Sequence, residues 1–466
     1  MSESWANPSV DLFLDLRGIH RRAGIEAALR EAVHSGRLTA GMPLPSSRAL
    51  AAELGIARNT VADAYGQLVA EGWLTARPGS GTRVGERVTP PRPLPKHAAV
   101  GRNSRFNLSP GEPDLAGFPR PAWLRAARQA LTAAPNAALG YPDPRGPLGL
   151  RQTLADYLAR VRGVRTTADR IMICSGFVQA IHLLATTLHR NGARTVAVES
   201  HGLGLHREVI RAAGPDTWAV PIDGSGARTD QLNARDDVAA VLLTPAHQFP
   251  LGVALSAERR AGALRWARQH GTLVIEDDYD GEFRYDRKPV GALQGLAPDL
   301  VAYVGTASKS LAPGLGLAWL VLPPHLVDEV VQTKRLSDGF TGVFEQLTLA
   351  EFIGSGGYDR HVRRSRLRYR RRRDRLVEAL DGVPSAGVTG IAAGLHVVVT
   401  LPGHRAAEES AIVTRAERAG LSLLGLSYFR EQPTPEAPAA LVIGYARPPD
   451  HAFGGALQTL VDILPG

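Results

Sequence analysis

Five short apolar runs set the strongest constraint on what this chain can fold into. RIMICSGF, TVAVES, DVAAVLLTP, TLVIEDD and LVAYVGT lie within residues 170–306, β-branched and nearly continuous in apolar character. Such runs fit strands buried on both faces, the condition of a parallel sheet. The stretches between them, such as AERRAGALRWARQHG, read as amphipathic helices. This alternation predicts an α/β sheet with helices on both faces. Ligands on such sheets bind beyond the carboxyl ends of the strands. Polar residues gather there: Ser175-Gly176, Glu199, His247-Gln248, Asp277-Asp278-Tyr279 and Ser308-Lys309.

Lysine scarcity sharpens that set. Of 54 basic side chains only Lys96, Lys288, Lys309 and Lys334 are lysines. Lys309 alone follows a strand among Gly305, Thr306, Ser308 and Ser310. A lysine so placed can condense with a carbonyl cofactor. Thr306, Ser308 and the Ser175-Gly176-Phe177 turn can hold a phosphate at a helix N-terminus. Asp277 can pair with a pyridinium nitrogen and Tyr279 can bond a ring oxygen. Pyridoxal phosphate needs that combination. On spacing alone the alternative stays open: a surface lysine on a loop, beside a solvated acidic turn.

Ahead of the sheet lies a composition break at 87–105, with Pro90, Pro91, Pro93 and Pro95 and five basic residues without an acid. Proline-rich backbone is extended and opposes helix, so this reads as an interdomain linker. Residues 1–86 read as helices followed by a hairpin. Ser46 and Ser47 are N-cap candidates and Gly55 a C-cap candidate for the helix SSRALAAELG. Asn59 or Thr60 can cap a second helix, which carries Val61, Tyr65 and Leu68 on one face. Two short helices around a tight turn have helix-turn-helix spacing. WLTARPGSGTRVG then forms a wing. Arg58, Asn59 and Thr60 stand where a recognition helix reaches base edges. Arg48, Arg77 and Arg83 suit the phosphate backbone. The alternative is a small helical domain that binds protein.

Composition excludes other classes. No apolar run is long enough to span a bilayer, and the acidic N-terminus argues against a secretory signal. The single Cys174 excludes a disulfide framework. The fourteen histidines show no metal spacing; His182 and His189 are expected to pack or to face solvent. A cytoplasmic location is expected. The net charge of +9 is a poor guide to nucleic acid, because residues 1–86 balance nine arginines with nine acids. The excess lies in the linker and in the run 363–375, read mainly as one exposed helix.

Residues 43–84, PLPSSRALAAELGIARNTVADAYGQLVAEGWLTARPGSGTRV, closely resemble the winged helix of the GntR superfamily of bacterial regulators. The resemblance implies binding of double-stranded operator DNA through Arg48, Arg58, Asn59, Thr60, Tyr65, Arg77, Ser80 and Gly81. NLSPGEPDLAGFP, YPDPRGPLGLRQTLADYL, TPAHQFPLG, EDDYDGEFRY, VGTASKSLAPGLGLAWLVLP and GYAR resemble the aminotransferase-like, fold-type I domain of MocR-type regulators. Their order along the chain is the same. The implied organisation is a winged-helix domain at 1–86, a linker at 87–105 and an aminotransferase-like domain at 106–466. That domain is α/β, with a small C-terminal α+β subdomain from about 340. The resemblance implies pyridoxal phosphate on Lys309, with Asp277 on the pyridine nitrogen, Tyr279 on the phenolic oxygen, and Ser175, Gly176, Phe177, Thr306 and Ser308 around the phosphate. It implies that Arg447 grips an amino-acid carboxylate; Arg207 is a second candidate for a ligand anion. A homodimer is implied as well.

The chain departs from the family at several points. Gly316 stands where an arginine commonly clamps the phosphate, and Leu203 where a tyrosine can stack on the ring. Ala246 replaces a common serine, and one glutamine, Gln179, remains in the glycine loop. Losing the arginine is expected to weaken cofactor binding by about 1.5–3 kcal/mol, roughly tenfold to a hundredfold. The expected function is therefore a DNA-binding regulator that senses an amino compound or the cofactor itself. The alternatives are an active aminotransferase carrying a DNA-binding domain, and a regulator that keeps only the fold.

Overall fold

A computed structural model describes residues 22–77, 81–85, 104–285, 290–432 and 434–464. The chain divides into two compact units, Met1–Val100 and Gly101–Gly466. The linker prolines, Ser80, Lys96 and Lys288 fall outside the described residues.

In the first unit, helices Arg22–His34, Ser47–Leu54 and Arg58–Ala70 precede a hairpin of Leu74–Arg77 with Gly81–Val84. Ile25, Leu29, Leu50, Val61, Leu68, Leu74 and Val84 form its core. Ser46 caps the middle helix by accepting from the Ala49 amide at 3.2 Å, and Gly55 ends it in the left-handed region. That turn requires glycine, whose missing Cβ permits φ near +65°. The next helix starts two to three residues earlier than the expected caps Asn59 or Thr60 implied. Its N-cap is Ala57, which offers no side-chain bond, so Asn59 and Thr60 lie inside the first turn.

The second unit is built on a seven-stranded sheet. Its order is Ile171–Cys174, Ala318–Val321, Val301–Thr306, Leu273–Asp278, Val238–Leu243, Thr195–Glu199 and Asp216–Val220. All neighbours are parallel except Ala318–Val321, which runs antiparallel to both of its partners. Side chains alternate across the sheet, as the pleat requires. Met172, Val304 and Leu320 pack under the helix Phe177–Arg190, while Ile173, Tyr303 and Trp319 pack under Leu148–Arg162 and Val343–Gly354. The five strands read from the sequence are all present; Asp216–Val220 and Ala318–Val321 are additional.

A four-stranded antiparallel sheet, Gly387–Thr389, His396–Arg405, Pro438–Gly444 and Leu424–Gly425, forms the smaller subdomain with helices Glu409–Arg418 and Asp450–Ile463. Two details differ from the expected boundary near 340. Helix Val343–Gly354 packs into the large core through Leu349, Phe352 and Ile353. Helix Gly357–Asp381 crosses from one core to the other, with Tyr358 and Val362 in the large one and Leu376 and Leu380 in the small one. Phe106–Asn107 joins the small subdomain by pairing with Leu421–Ser422. The arginine run lies on that crossing helix and is not wholly exposed. Arg372 is buried, bonding Asp450 at 2.6 Å, the Ala446 carbonyl at 2.6 Å and Asp114 at 3.3 Å.

Candidate functional site

The strand ends converge on one cavity of about 270 Å³ in the second unit. Val198-Glu199, Leu242, Asp277, Thr306, Ser308 and Lys309 line it from the large sheet. Leu395-His396, Leu424 and Tyr428-Phe429 close it from the small subdomain, and Pro110-Gly111 from the N-terminal loop. Of the residues read from sequence, Asp277, Tyr279, Phe177, Thr306, Ser308, Lys309 and Arg207 meet here. Ser175 and Gly176 sit just before Phe177 and do not line the wall themselves.

Asp277 is the last but one residue of its strand, and its side chain is buried. Oδ1 has no hydrogen-bond partner. Burial, with Asp278 beside it, pushes its pKa well above the usual carboxylate range. Lys309 follows the Thr306 strand end, and its Nζ donates to the Gly111 carbonyl at 2.5 Å. Burial lowers its pKa, against the pull of Asp277 and Asp280. The Tyr279 hydroxyl lies 3.1 Å from His247 Nδ1, which is 2.8 Å from Asp280 Oδ2. Burial also raises Tyr279. The Thr306 and Ser308 hydroxyls are 2.8 Å apart. They share the cavity wall with Phe177, the first residue of a 14-residue helix. First-turn amides of a helix have no acceptor within it, so this end suits an anion.

Three further features come from chain segments far apart in sequence. Glu199 accepts from Thr244 Oγ1 at 2.5 Å and from Gln248 Nε2 at 3.1 Å, and burial pushes its pKa up to about 7. His206 stacks on Phe177 with ring centres 4.4 Å apart, and burial pushes its pKa down to about 4. His396 crosses from the small sheet, its Nε2 donating to the Pro250 carbonyl at 2.9 Å. Glu199 was among the strand-end residues read from the sequence; His206 and His396 carry a signal only once the fold gathers them.

Both candidate ligand arginines are engaged by glutamates of the chain itself. Arg207 lines the cavity and pairs with Glu431, which also holds Arg211. Arg447 does not line it; Arg447 Nε pairs with Glu112 at 2.7 Å, next to the wall residue Gly111. Lys334 is fully buried and paired with Asp338 at 3.0 Å, a structural role.

In the first unit Arg48, Arg58, Asn59, Arg77, Gly81 and Arg83 are exposed, and Thr60 is half-buried. Arg83 donates to the Gly41 carbonyl at 3.1 Å. Tyr65 does not join them. It is 5% exposed, and its hydroxyl donates to the Pro45 carbonyl at 3.0 Å, tying its helix to the loop that precedes the helix Ser47–Leu54.

Residues 21–84 match the family model of bacterial regulatory proteins of the gntR family, and residues 104–437 that of aminotransferase class I and II. The HTH-type pyridoxine biosynthesis transcriptional regulator PdxR of Corynebacterium glutamicum is 33% identical over 86% of this chain and 87% of its own. The chain belongs to the MocR-type regulators of the GntR family. The probable rhizopine catabolism regulatory protein MocR of Rhizobium meliloti is 29% identical over 90% of this chain and 88% of its own. The second unit of this MocR-type chain also superposes on the kynurenine aminotransferase of Pyrococcus horikoshii. That match has a TM-score of 0.69 and 25% identity, over 78% of this chain and 91% of the enzyme. The MocR-type assignment fixes the fold as an N-terminal helix-turn-helix domain and a fold-type I aminotransferase domain.

Pyridoxal phosphate is the cofactor of the aminotransferase family, and the residues present fit it. Asp277 Oδ1 is an acceptor in want of a donor, as a protonated pyridine ring provides. Gly394 leaves room beside the Tyr279 partners: a Cβ there would stand 2.2 Å from His247 and 2.5 Å from Asp280. The phosphate end lacks its arginine. Gly316 ends a short turn with φ +59°, and Arg207, though close, is already paired.

Proposed function

We propose that this protein is a transcription regulator whose helix-turn-helix binds operator DNA and whose second unit holds pyridoxal phosphate and responds to an amino compound. The observation that carries the cofactor site is the unpartnered Asp277 oxygen in a cavity that also holds the Lys309 amine. When bound, the cofactor supplies a carbonyl that exchanges amines. The protein's part is binding and orientation. Asp277 holds the ring nitrogen, Tyr279 the phenolic oxygen, and Thr306, Ser308 and the Phe177 helix end the phosphate. Burial lowers the Lys309 pKa, which raises the fraction of neutral, nucleophilic amine. An amino acid entering the cavity would bring a carboxylate that competes with Glu112 for Arg447 or with Glu431 for Arg207. Such a differential contact can bias a two-state arrangement.

Arg48, Arg58, Asn59, Thr60, Arg77, Ser80 and Gly81 are proposed for DNA. Two such domains in a homodimer would read two half-sites. A dimer is supported by exposed apolar residues on the second unit: Tyr141 is 96% exposed and meets Phe340 edge-on, and Leu124, Leu139 and Phe344 are exposed as well. Binding of operator DNA implies the cytoplasm as the place of action.

A visible spectrum of the purified protein, before and after a panel of amino acids, tests the reading. A lysine-bound cofactor band that shifts with one class of amine is expected. No such band after loading, together with normal regulation by Lys309→Ala, refutes the sensing mechanism. Steady transamination with a keto-acid acceptor would instead make the protein an enzyme.

A further inference from the structure

A second cavity, of about 510 Å³, lies behind the first. The strand Leu273–Asp278 separates them. Asp277 faces the cofactor cavity, and its neighbour Asp278 points the other way, as strand alternation requires. There Asp278 meets Arg162 through two bonds, 2.6 and 3.0 Å, and accepts from the Tyr303 hydroxyl at 2.7 Å. Arg162 also donates to the Gly281 and Val290 carbonyls, so four of its five N–H groups are engaged where it forms the floor.

The rim is different. Arg363 and Arg366 lie three apart on the helix Gly357–Asp381, on the face that carries Asp359 and Val362 to the cavity. Each is tethered through Nε to a backbone carbonyl: Arg363 to Asp359 at 3.3 Å, Arg366 to Glu282 at 2.8 Å. Among the described residues neither is in an ion pair. Their terminal nitrogens are thus oriented by the tethers and left over for a ligand. Arg160 stands opposite, paired with Asp359 at 2.8 Å. Among the described residues the wall's other carboxyl is Glu282. It is half-buried, accepts from the Tyr358 hydroxyl at 3.3 Å, and desolvation pushes its pKa up to about 7, so near neutrality it holds part of a proton and less than a full charge. Tyr157 and Val362 give the wall an apolar portion.

We infer that this cavity binds a small molecule bearing a phosphate group, gripped by the guanidinium forks of Arg363 and Arg366. Planar forks match tetrahedral oxyanions in a paired, charge-assisted geometry. The volume lies in the range of small-ligand pockets. A concave site with a buried floor favours a small ligand over the convex backbone of a duplex.

The test uses the full-length protein loaded with pyridoxal phosphate, so that the cofactor's own phosphate site is filled. Inorganic pyrophosphate is titrated calorimetrically in chloride buffer of matched ionic strength. Saturable binding at one site per chain is expected. Affinity should fall about tenfold or more in the double variant R363Q/R366Q, with single variants between. Both residues are exposed, and an unchanged melting curve certifies that the variants fold. Three outcomes overturn the inference. One is no saturable heat. Another is binding that the double variant leaves intact. The third is a double variant that loses operator affinity and salt slope while the wild type takes no pyrophosphate, which would assign these arginines to DNA.

Discussion

Replacing Asp277 by asparagine should act in opposite directions on the cofactor-free and cofactor-loaded protein. Without cofactor, Asp277 is a buried carboxyl with an unpartnered oxygen and a raised pKa. An unsatisfied buried polar group costs about 1–3 kcal/mol, more when charged. Asparagine keeps the shape and removes the charge, so a gain of roughly 1 kcal/mol is expected, about 2 °C in melting temperature for a domain this large. The size of the gain depends on pH. A carboxyl whose folded pKa is raised costs nothing below its ordinary value, and destabilises progressively as pH climbs toward the folded value. The advantage of the variant should therefore widen between pH 5 and pH 8. With cofactor the order inverts, because asparagine forfeits a charge-assisted bond to the ring nitrogen worth about 1.5–3 kcal/mol. Affinity should drop roughly tenfold to a hundredfold. Melting curves with and without pyridoxal phosphate, at both pH values, provide the readout, alongside a visible titration. If the variant melts lower than wild type without cofactor, or keeps the full cofactor-induced rise, the partner assignment is wrong.

Other outcomes follow from the same geometry. Tyr65→Phe should destabilise the first unit by about 0.5–1.5 kcal/mol through loss of the bond to Pro45, yet leave operator preference unchanged. Arg58→Ala and Asn59→Ala should do the reverse, abolishing sequence preference in a gel-shift assay with little change in melting. Glu112→Gln frees Arg447 from a half-exposed pair worth about 0.2–1 kcal/mol, so a carboxylate effector should bind up to about fivefold tighter by calorimetry. Glu276 is buried, takes the Leu293 and Gln294 amides, and has a pKa pushed up to about 7. Its contribution is whole below its ordinary pKa and declines as pH rises through 7. Glu276→Gln should lower stability overall, with a deficit that shrinks from pH 5 to pH 7.5; a constant deficit contradicts the raised pKa.

What the sequence disclosed depended on how local its cause was. Fully buried parallel strands announce themselves, since both faces demand apolar residues. Asp216–Val220 lies at an edge and is partly exposed, so its run is broken by Asp216 and Thr217. Ala318–Val321 is four residues long inside a Gly/Pro-rich stretch, and its antiparallel direction is set only by its neighbours. Lys309, Asp277, Thr306 and Ser308 were legible because strand ends deliver them. His396, Tyr428 and Phe429 were not, because a separate sheet and loop bring them in. Tyr65 was misread despite a local clue: Val61 and Leu68 share its face, and that face is the core. Arg372 escaped similarly, hidden among arginines while sharing a helical stripe with Tyr369 and Leu376.

The glycine at 316 has a consequence for how this chain can change. Its backbone is left-handed, at φ +59° and ψ 47°. An arginine introduced there would pay roughly 1–2 kcal/mol in backbone conformation before it reached any phosphate. That cost offsets much of the about 1.5–3 kcal/mol an arginine–phosphate bond would contribute, so Gly316→Arg should tighten pyridoxal phosphate binding far less than the bond alone suggests. Relaxing the turn out of the left-handed region would have to accompany the arginine for the whole strength of that bond to appear in the affinity.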